Sequence, residues 1–148
     1  MGWAAGDGTP ENTDFGTLDF NKAGHDLGLL FTLYHNGISD LIEAYEPEYL
    51  VIEDTFVGKY KNVARKLYGF QSQILSAAHL HETQHVYMEN RSVKKYMTGN
   101  GNADKIQMQS AAKLRGFEIE DEHQADAIGV MLAFLDTLQI NHANKRKD

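Results

Sequence analysis

The sequence predicts an α/β fold, a mixed sheet flanked by helices, and three observations predict it. Short runs with strand character are separated by longer segments of helical periodicity. The run Tyr49-Leu50-Val51-Ile52-Glu53 is apolar without alternation, as in a strand covered on both faces. The segments between strands are long enough for crossover connections, which simple hairpins do not need.

Residues 2–5 and 15–20 read as two strands around the turn-rich stretch Gly6-Asp7-Gly8-Thr9-Pro10-Glu11-Asn12. Residues 25–45 read as a helix, with Leu27, Leu30, Leu33, Leu41 and Ile42 at helical spacings. Gly28 and Gly37 weaken it, and Pro47 blocks its continuation. After the buried strand at 49–53, Asn62 is placed to cap a helix over 63–80. A short strand follows at 86–88, then a short helix at 92–97 and the segment Thr98-Gly99-Asn100-Gly101-Asn102. A helix over 103–114 ends at Gly116, and a last helix covers 122–138. Residues 1–140 are expected to form one domain, and the polar residues 141–148 a frayed tail.

Composition narrows the chemistry. The chain of 148 residues has no cysteine, so neither disulfides nor thiolate metal ligands are available, which fits a reducing compartment. No apolar run reaches the roughly 18 residues of a membrane span, and residues 1–8 lack the basic-then-apolar order of a secretory signal, so the cytoplasm is the expected location. A net charge of −7 argues against coating nucleic acid by charge alone. It leaves room for a nuclease, because acids that hold divalent cations make the metal-free protein look acidic.

Four sets of residues could carry chemistry. Glu53 ends an apolar strand, where ligands of open α/β sheets bind, although taken alone it is more simply explained as a strand-end carboxylate facing water. His123 and Asp126 lie three residues apart, on one helix face, where an imidazole and a carboxylate can bind one divalent ion. Helix capping is the competing explanation, since Asp121, Glu122 and Asp126 all favour a helix N-terminus. Lys94, Lys95 and Lys105 flank the glycine-rich segment and could contact phosphates with it, or simply be solvated. The spacing is not that of a Walker loop. Phe56 could stack on an unpaired base or belong to the core, and Lys59, Lys61, Arg65 and Lys66 form a local basic cluster beside it.

In order, these parts resemble the RuvC family of Holliday-junction resolvases. Ile52-Glu53 continuing to Phe56 is similar to the family's second acidic motif and its junction-stacking aromatic. Val93-Lys94 followed by Gly99, Gly101, Ala103, Lys105, Gln107 and Met108 resembles its VK…G-x-G-x-A-x-K-x-Q-V segment. His123-Gln124-Ala125-Asp126-Ala127 resembles its closing motif, in which some members carry aspartate first and others histidine. Gly2-Trp3-Ala4 and Gly16-Thr17-Leu18 resemble the starts of its second and third strands.

The resemblance implies a ribonuclease H-like fold and a homodimeric crossover junction endodeoxyribonuclease that cuts two symmetric strands of a four-way DNA junction. It implies two Mg2+ or Mn2+ ions about 3.5–4 Å apart, one generating the nucleophilic hydroxide and one stabilising the leaving oxygen. Glu53, His123 and Asp126 become metal ligands. Lys94, Lys95 and Lys105 contact phosphate, with Lys105 also stabilising charge in catalysis. Phe56 stacks at the junction centre, supported by Lys59 and Lys61. Two paired cuts suit a twofold dimer, and the amphipathic segment 63–80, with Leu67, Phe70, Ile74 and Leu75, is expected as the dimer helix, although core packing explains the same pattern. The short chain resembles the phage-encoded branch, which implies the host cytoplasm.

The family's central first strand, with its first catalytic aspartate, precedes the Gly-Trp-Ala stretch and has no counterpart here. A truncated chain or a late start codon is the expectation, and activity of this chain depends on it. Two alternatives remain open: a catalytically inactive binder of junction DNA, and another ribonuclease H-fold nuclease acting on flaps or RNA–DNA hybrids.

Overall fold

The computed structural model describes residues 1–54 and 61–145, and side chains within 1–54 and 63–141. The elements in order are β1 (Gly2–Gly6), β2 (Thr13–Thr17), α1 (Leu27–Tyr45), β3 (Tyr49–Asp54), α2 (Lys61–Leu80), β4 (Gln84–Glu89), α3 (Asn90–Thr98), α4 (Lys105–Leu114) and α5 (Glu122–Lys145). The α/β class is the expected one. Among the described residues the strands are hydrogen-bonded as two pairs, β1 with β2 and β3 with β4. The chain divides into two compact units, one of Met1–Thr17 with Met88–Asp148 and one of Leu18–Tyr87.

In the first unit, β1 and β2 form an antiparallel hairpin whose register runs from Gly2 opposite Thr17 to Gly6 opposite Thr13. Its loop is closed by Asp7, which accepts hydrogen bonds from the Thr9 amide at 2.9 Å, the Thr9 hydroxyl at 2.7 Å and the Asn12 side chain at 3.1 Å. These bonds hold the Asp7 carboxyl below its ordinary value. Because the loop closes so early, pairing resumes at Thr13. The second strand therefore begins and ends before the expected 15–20.

The core of this unit is α5. Ala125, Ile128, Val130, Met131, Ala133 and Phe134 are buried on several of its faces, the pattern of a helix enclosed by its neighbours. It packs against β1, α3 and α4. Gly129 is a point of close approach to α3 and α4: a β-carbon there would lie 3.1–3.3 Å from Met108, Met97 and Val93. The helix runs to Lys145, past the expected end at 138 and through much of the expected tail. Residues 139–145 contain no glycine or proline, so nothing stops its propagation beyond the core.

In the second unit, Asp26 caps α1 by accepting from the Leu29 amide at 3.0 Å. The helix ends with Glu46 in the left-handed region, at φ 43°, just before Pro47. α1 and α2 pack through an aromatic cluster. Phe70 lies 4.5 Å from Tyr34 and 5.6 Å from Phe31, centroid to centroid, and Phe20 lies 5.3 Å from Tyr34. Burial pushes the Tyr34 hydroxyl up to about 12. Leu18 and Phe20, expected to end a strand, instead lie beside Gly37 on α1. Phe70 is thus a packing residue inside its own unit rather than part of an apolar outer face. The exposed apolar residues of α2 are Val63, Tyr68, Leu75 and Leu80.

Candidate metal and nucleic-acid site

α5 begins at Glu122 because Asp121 caps it. The Asp121 carboxylate accepts from the Gln124 amide at 2.8 Å, satisfying a donor the helix cannot. Gln124 is buried, and its side-chain oxygen accepts from the Glu120 amide at 2.9 Å. This Asp-x-x-Gln arrangement orients the first turn. His123 then projects to solvent and Asp126 sits half-buried on the same side. The two competing explanations for these acids divide by residue: Asp121 does the capping, and Asp126 is left for other chemistry.

Asp126 is electrostatically unusual. Burial, the largest effect, raises its carboxyl above the ordinary value. Lys94 opposes that rise, Glu122 adds to it, and His123 and Lys105 oppose it. Five residues from three helices therefore act on one spot: Lys94 from α3, Lys105 from α4, and Glu122, His123 and Asp126 from α5. A half-desolvated carboxylate beside an imidazole is a donor set that a hard divalent cation would relieve. Among the described residues, no three histidine, aspartate or glutamate side chains converge closely enough to hold an ion by themselves.

Lys105, expected to contact phosphate, already has a partner in the absence of DNA. Its ammonium is ion-paired with Glu122. Lys105 also opens α4, whose cap is a complete box: Asp104 accepts from the Gln107 amide at 2.8 Å, and the Gln107 side chain accepts from the Asp104 amide at 3.0 Å. The glycine-rich segment is likewise engaged. Gly99, at φ 79°, closes α3. The Thr98 hydroxyl accepts from the Asn100 amide at 3.1 Å, and the Asn100 side chain from the Asn102 amide at 3.0 Å. These turns occupy the Asn100 and Asn102 amides, which a phosphate-cradling loop would instead offer to its ligand. Lys94 is half-exposed, and Lys95 is fully exposed one position further round α3.

The remaining expected residues fall elsewhere. Glu53 is the penultimate residue of β3, in the second unit, half-exposed next to buried Ile52. Phe56 and Lys59 lie outside the described residues, as do the side chains of Lys61 and Asn62. Sequence reasoning weighed Asp121 as an acid favouring the helix start, but missed Asp104 as a cap and Glu122 as the Lys105 partner. The signal was there, because Asp104-Lys105-Ile106-Gln107 and Asp121-Glu122-His123-Gln124 repeat one Asp-x-x-Gln pattern at two helix starts.

A family model described as crossover junction endodeoxyribonuclease RuvC matches residues 23–134, which hold β3 and every α3–α5 residue named above. The chain belongs to the RuvC family. A crossover junction endodeoxyribonuclease RuvC from Dichelobacter nodosus (strain VCS1703A) is 34% identical over 108 residues, covering 71% of this chain and 61% of that protein. The chain spans between half and three-fifths of the length of the first such curated relatives. The Thermus thermophilus RuvC structure matches with a TM-score of 0.69 at 16% identity, over 88% of this chain and 78% of that one. T. thermophilus RuvC in complex with Holliday junction substrate matches with a TM-score of 0.66 at 17% identity, over 82% and 74%. The fold is therefore that of RuvC, the ribonuclease H-like architecture expected from the sequence.

Proposed function

We propose that this RuvC-family chain is a metal-dependent endodeoxyribonuclease that resolves four-way DNA junctions by paired phosphodiester hydrolysis. The observation that carries the proposal is the half-buried Asp126 carboxylate at the start of α5, on which an imidazole and two lysines exert their charge, in a chain of this family. After the family's pattern, Glu53, His123 and Asp126 are each assigned as ligands of Mg2+ or Mn2+. When bound, the ions supply Lewis-acid activation of water and charge stabilisation at the leaving oxygen.

The chain's own residues do the rest. Asp126 and His123 orient the reacting water through their fixed places on the first turns of α5. Lys94 and Lys105 bind the non-bridging phosphate oxygens, with Lys105 exchanging Glu122 for phosphate as DNA arrives. Lys95 adds a backbone contact from the exposed side of α3. Phe56, Lys59 and Lys61 are assigned the junction centre, after the family's pattern. Residues 1–140 act as one nuclease domain in the cytoplasm, on branched DNA. A twofold dimer supplies the two cuts, and the exposed Tyr68, Leu75 and Leu80 of α2 are the surface assigned to it.

The test is cleavage of a substrate panel of four-way junction, flap and RNA–DNA hybrid in Mg2+ or Mn2+. Selective paired cutting of the junction, lost in Glu53→Gln, supports the reading. Preferential flap or hybrid cutting would move the assignment to another ribonuclease H-fold activity. Tight junction binding with no cleavage in either metal would identify an inactive junction binder.

A further inference from the structure

The motif resemblance assigns roles to residues on β3, α3, α4 and α5. Two contacts made by the β1–β2 hairpin point to a further participant. The Thr17 hydroxyl, at the end of β2, donates to Asp121 Oδ2 at 2.6 Å, across 104 positions of sequence. At the other strand of the same pair, Gly2 lies so close to α5 that a β-carbon would overlap the carbonyl oxygen of His123. Gly2 and Thr17 face each other in the hairpin register. One hairpin end therefore meets the first turn of α5 twice, once at the cap and once at the candidate ligand.

The division of labour on Asp121 makes the hydroxyl informative. One carboxylate oxygen accepts from the Gln124 amide and holds the helix start; the other accepts from Thr17. The second bond is not needed for capping. It fixes the rotation of the Asp121 carboxylate, and through it the direction of the turn that carries His123 and Asp126. The Thr17 hydrogen bond is the largest contribution holding the Asp121 carboxyl below its ordinary range. Outer partners of this kind orient ligands without touching the ion.

We infer that Thr17 is a positioning residue for the divalent-cation site, acting through Asp121 on the α5 turn that carries His123 and Asp126. The inference rests on the cation-site reading above. It concerns orientation: Thr17 touches neither DNA nor metal in this scheme, and its removal weakens cation binding without dissolving the fold.

The test compares wild type, Thr17→Val, Thr17→Ser and Asp126→Asn in the full chain. Mn2+ affinity is read by calorimetry, and amide hydrogen exchange is read on the metal-free proteins. Valine keeps the shape and removes the donor; serine restores the donor. Thr17→Val is expected to weaken Mn2+ binding about tenfold, the lower end for an outer-partner change, with Thr17→Ser near wild type. Exchange at the Gln124 and Ala125 amides should quicken in Thr17→Val while Ile128 stays protected. Equal Mn2+ affinity in Thr17→Val and wild type overturns the inference, as does a loss that serine does not restore. Uniform acceleration of exchange along α5 overturns it too, because that marks a general packing role. If wild type binds no Mn2+, or binds it as well after Asp126→Asn, the cation-site reading itself fails, and Thr17 has nothing to position.

Discussion

A β-carbon at Gly2 would collide with the carbonyl oxygen of His123, and backbone cannot yield as a flexible side chain can. The close approach of β1 to the start of α5 thus depends on glycine. Gly2→Ala is expected to destabilise the protein by about 1–3 kcal/mol, the usual cost of overpacking. At roughly 2–4 °C per kcal/mol for a chain of this size, thermal unfolding would register it. An unchanged melting temperature would contradict the packing described.

Asp126 titrates against the fold. Its carboxyl stands above the ordinary 3.8 because burial disfavours the charge. The folded state therefore binds the proton more tightly than the unfolded chain. Stability of the metal-free protein should fall as pH rises from the ordinary value through the raised one, and be lower at neutral pH. Asp126→Asn should flatten that segment and raise the neutral-pH melting temperature by a few degrees in the absence of metal. The same variant should lose cation binding. Melting curves of both proteins across pH 3–7 would check it.

Lys105 is held by Glu122 before any phosphate arrives. Lys105→Met should make the salt dependence of junction binding shallower by about 0.9 in log–log slope, one phosphate contact. Glu122→Gln should release the lysine and tighten binding at low salt. Fluorescence anisotropy across a salt series measures both, and an unaltered slope in Lys105→Met would remove this lysine from the interface.

Gly129 sets how closely α3 and α4 approach α5. Valine there must displace Met97, Met108 or Val93, at a cost of about 1–3 kcal/mol by overpacking. Alanine should cost less, since the methionine ends can give. Chemical denaturation distinguishes the two, and equal costs would argue against the contact.

Much of this was legible before the structure, for identifiable reasons. The strand carrying Glu53 and the helix bearing His123 and Asp126 follow from apolar runs, but the strand is not covered on both faces as expected: only Ile52 is buried, and Asp54 rather than Glu53 ends it. Strand and helix ends were less accessible. β2 begins at Thr13 because the Asp7 carboxylate closes the preceding loop early, and α5 runs on to Lys145 for want of a breaker. Both depend on local chemistry that periodicity does not register. Capping at Asp121 was weighed from the sequence, whereas the matching Asp-x-x-Gln pattern at Asp104 went unread, because the lysine and glycines around it drew the reading toward phosphate. The bond between Thr17 and Asp121 had no local signal at all. It joins residues that only the fold makes neighbours.

Calorimetric titration of Mn2+ into wild type and Asp126→Asn bears most directly on the cation-binding role of the α5 start. Binding by wild type and a large loss in Asp126→Asn are expected, because the half-buried carboxylate is the donor a cation would relieve. Undiminished binding by Asp126→Asn would contradict its assignment as a ligand.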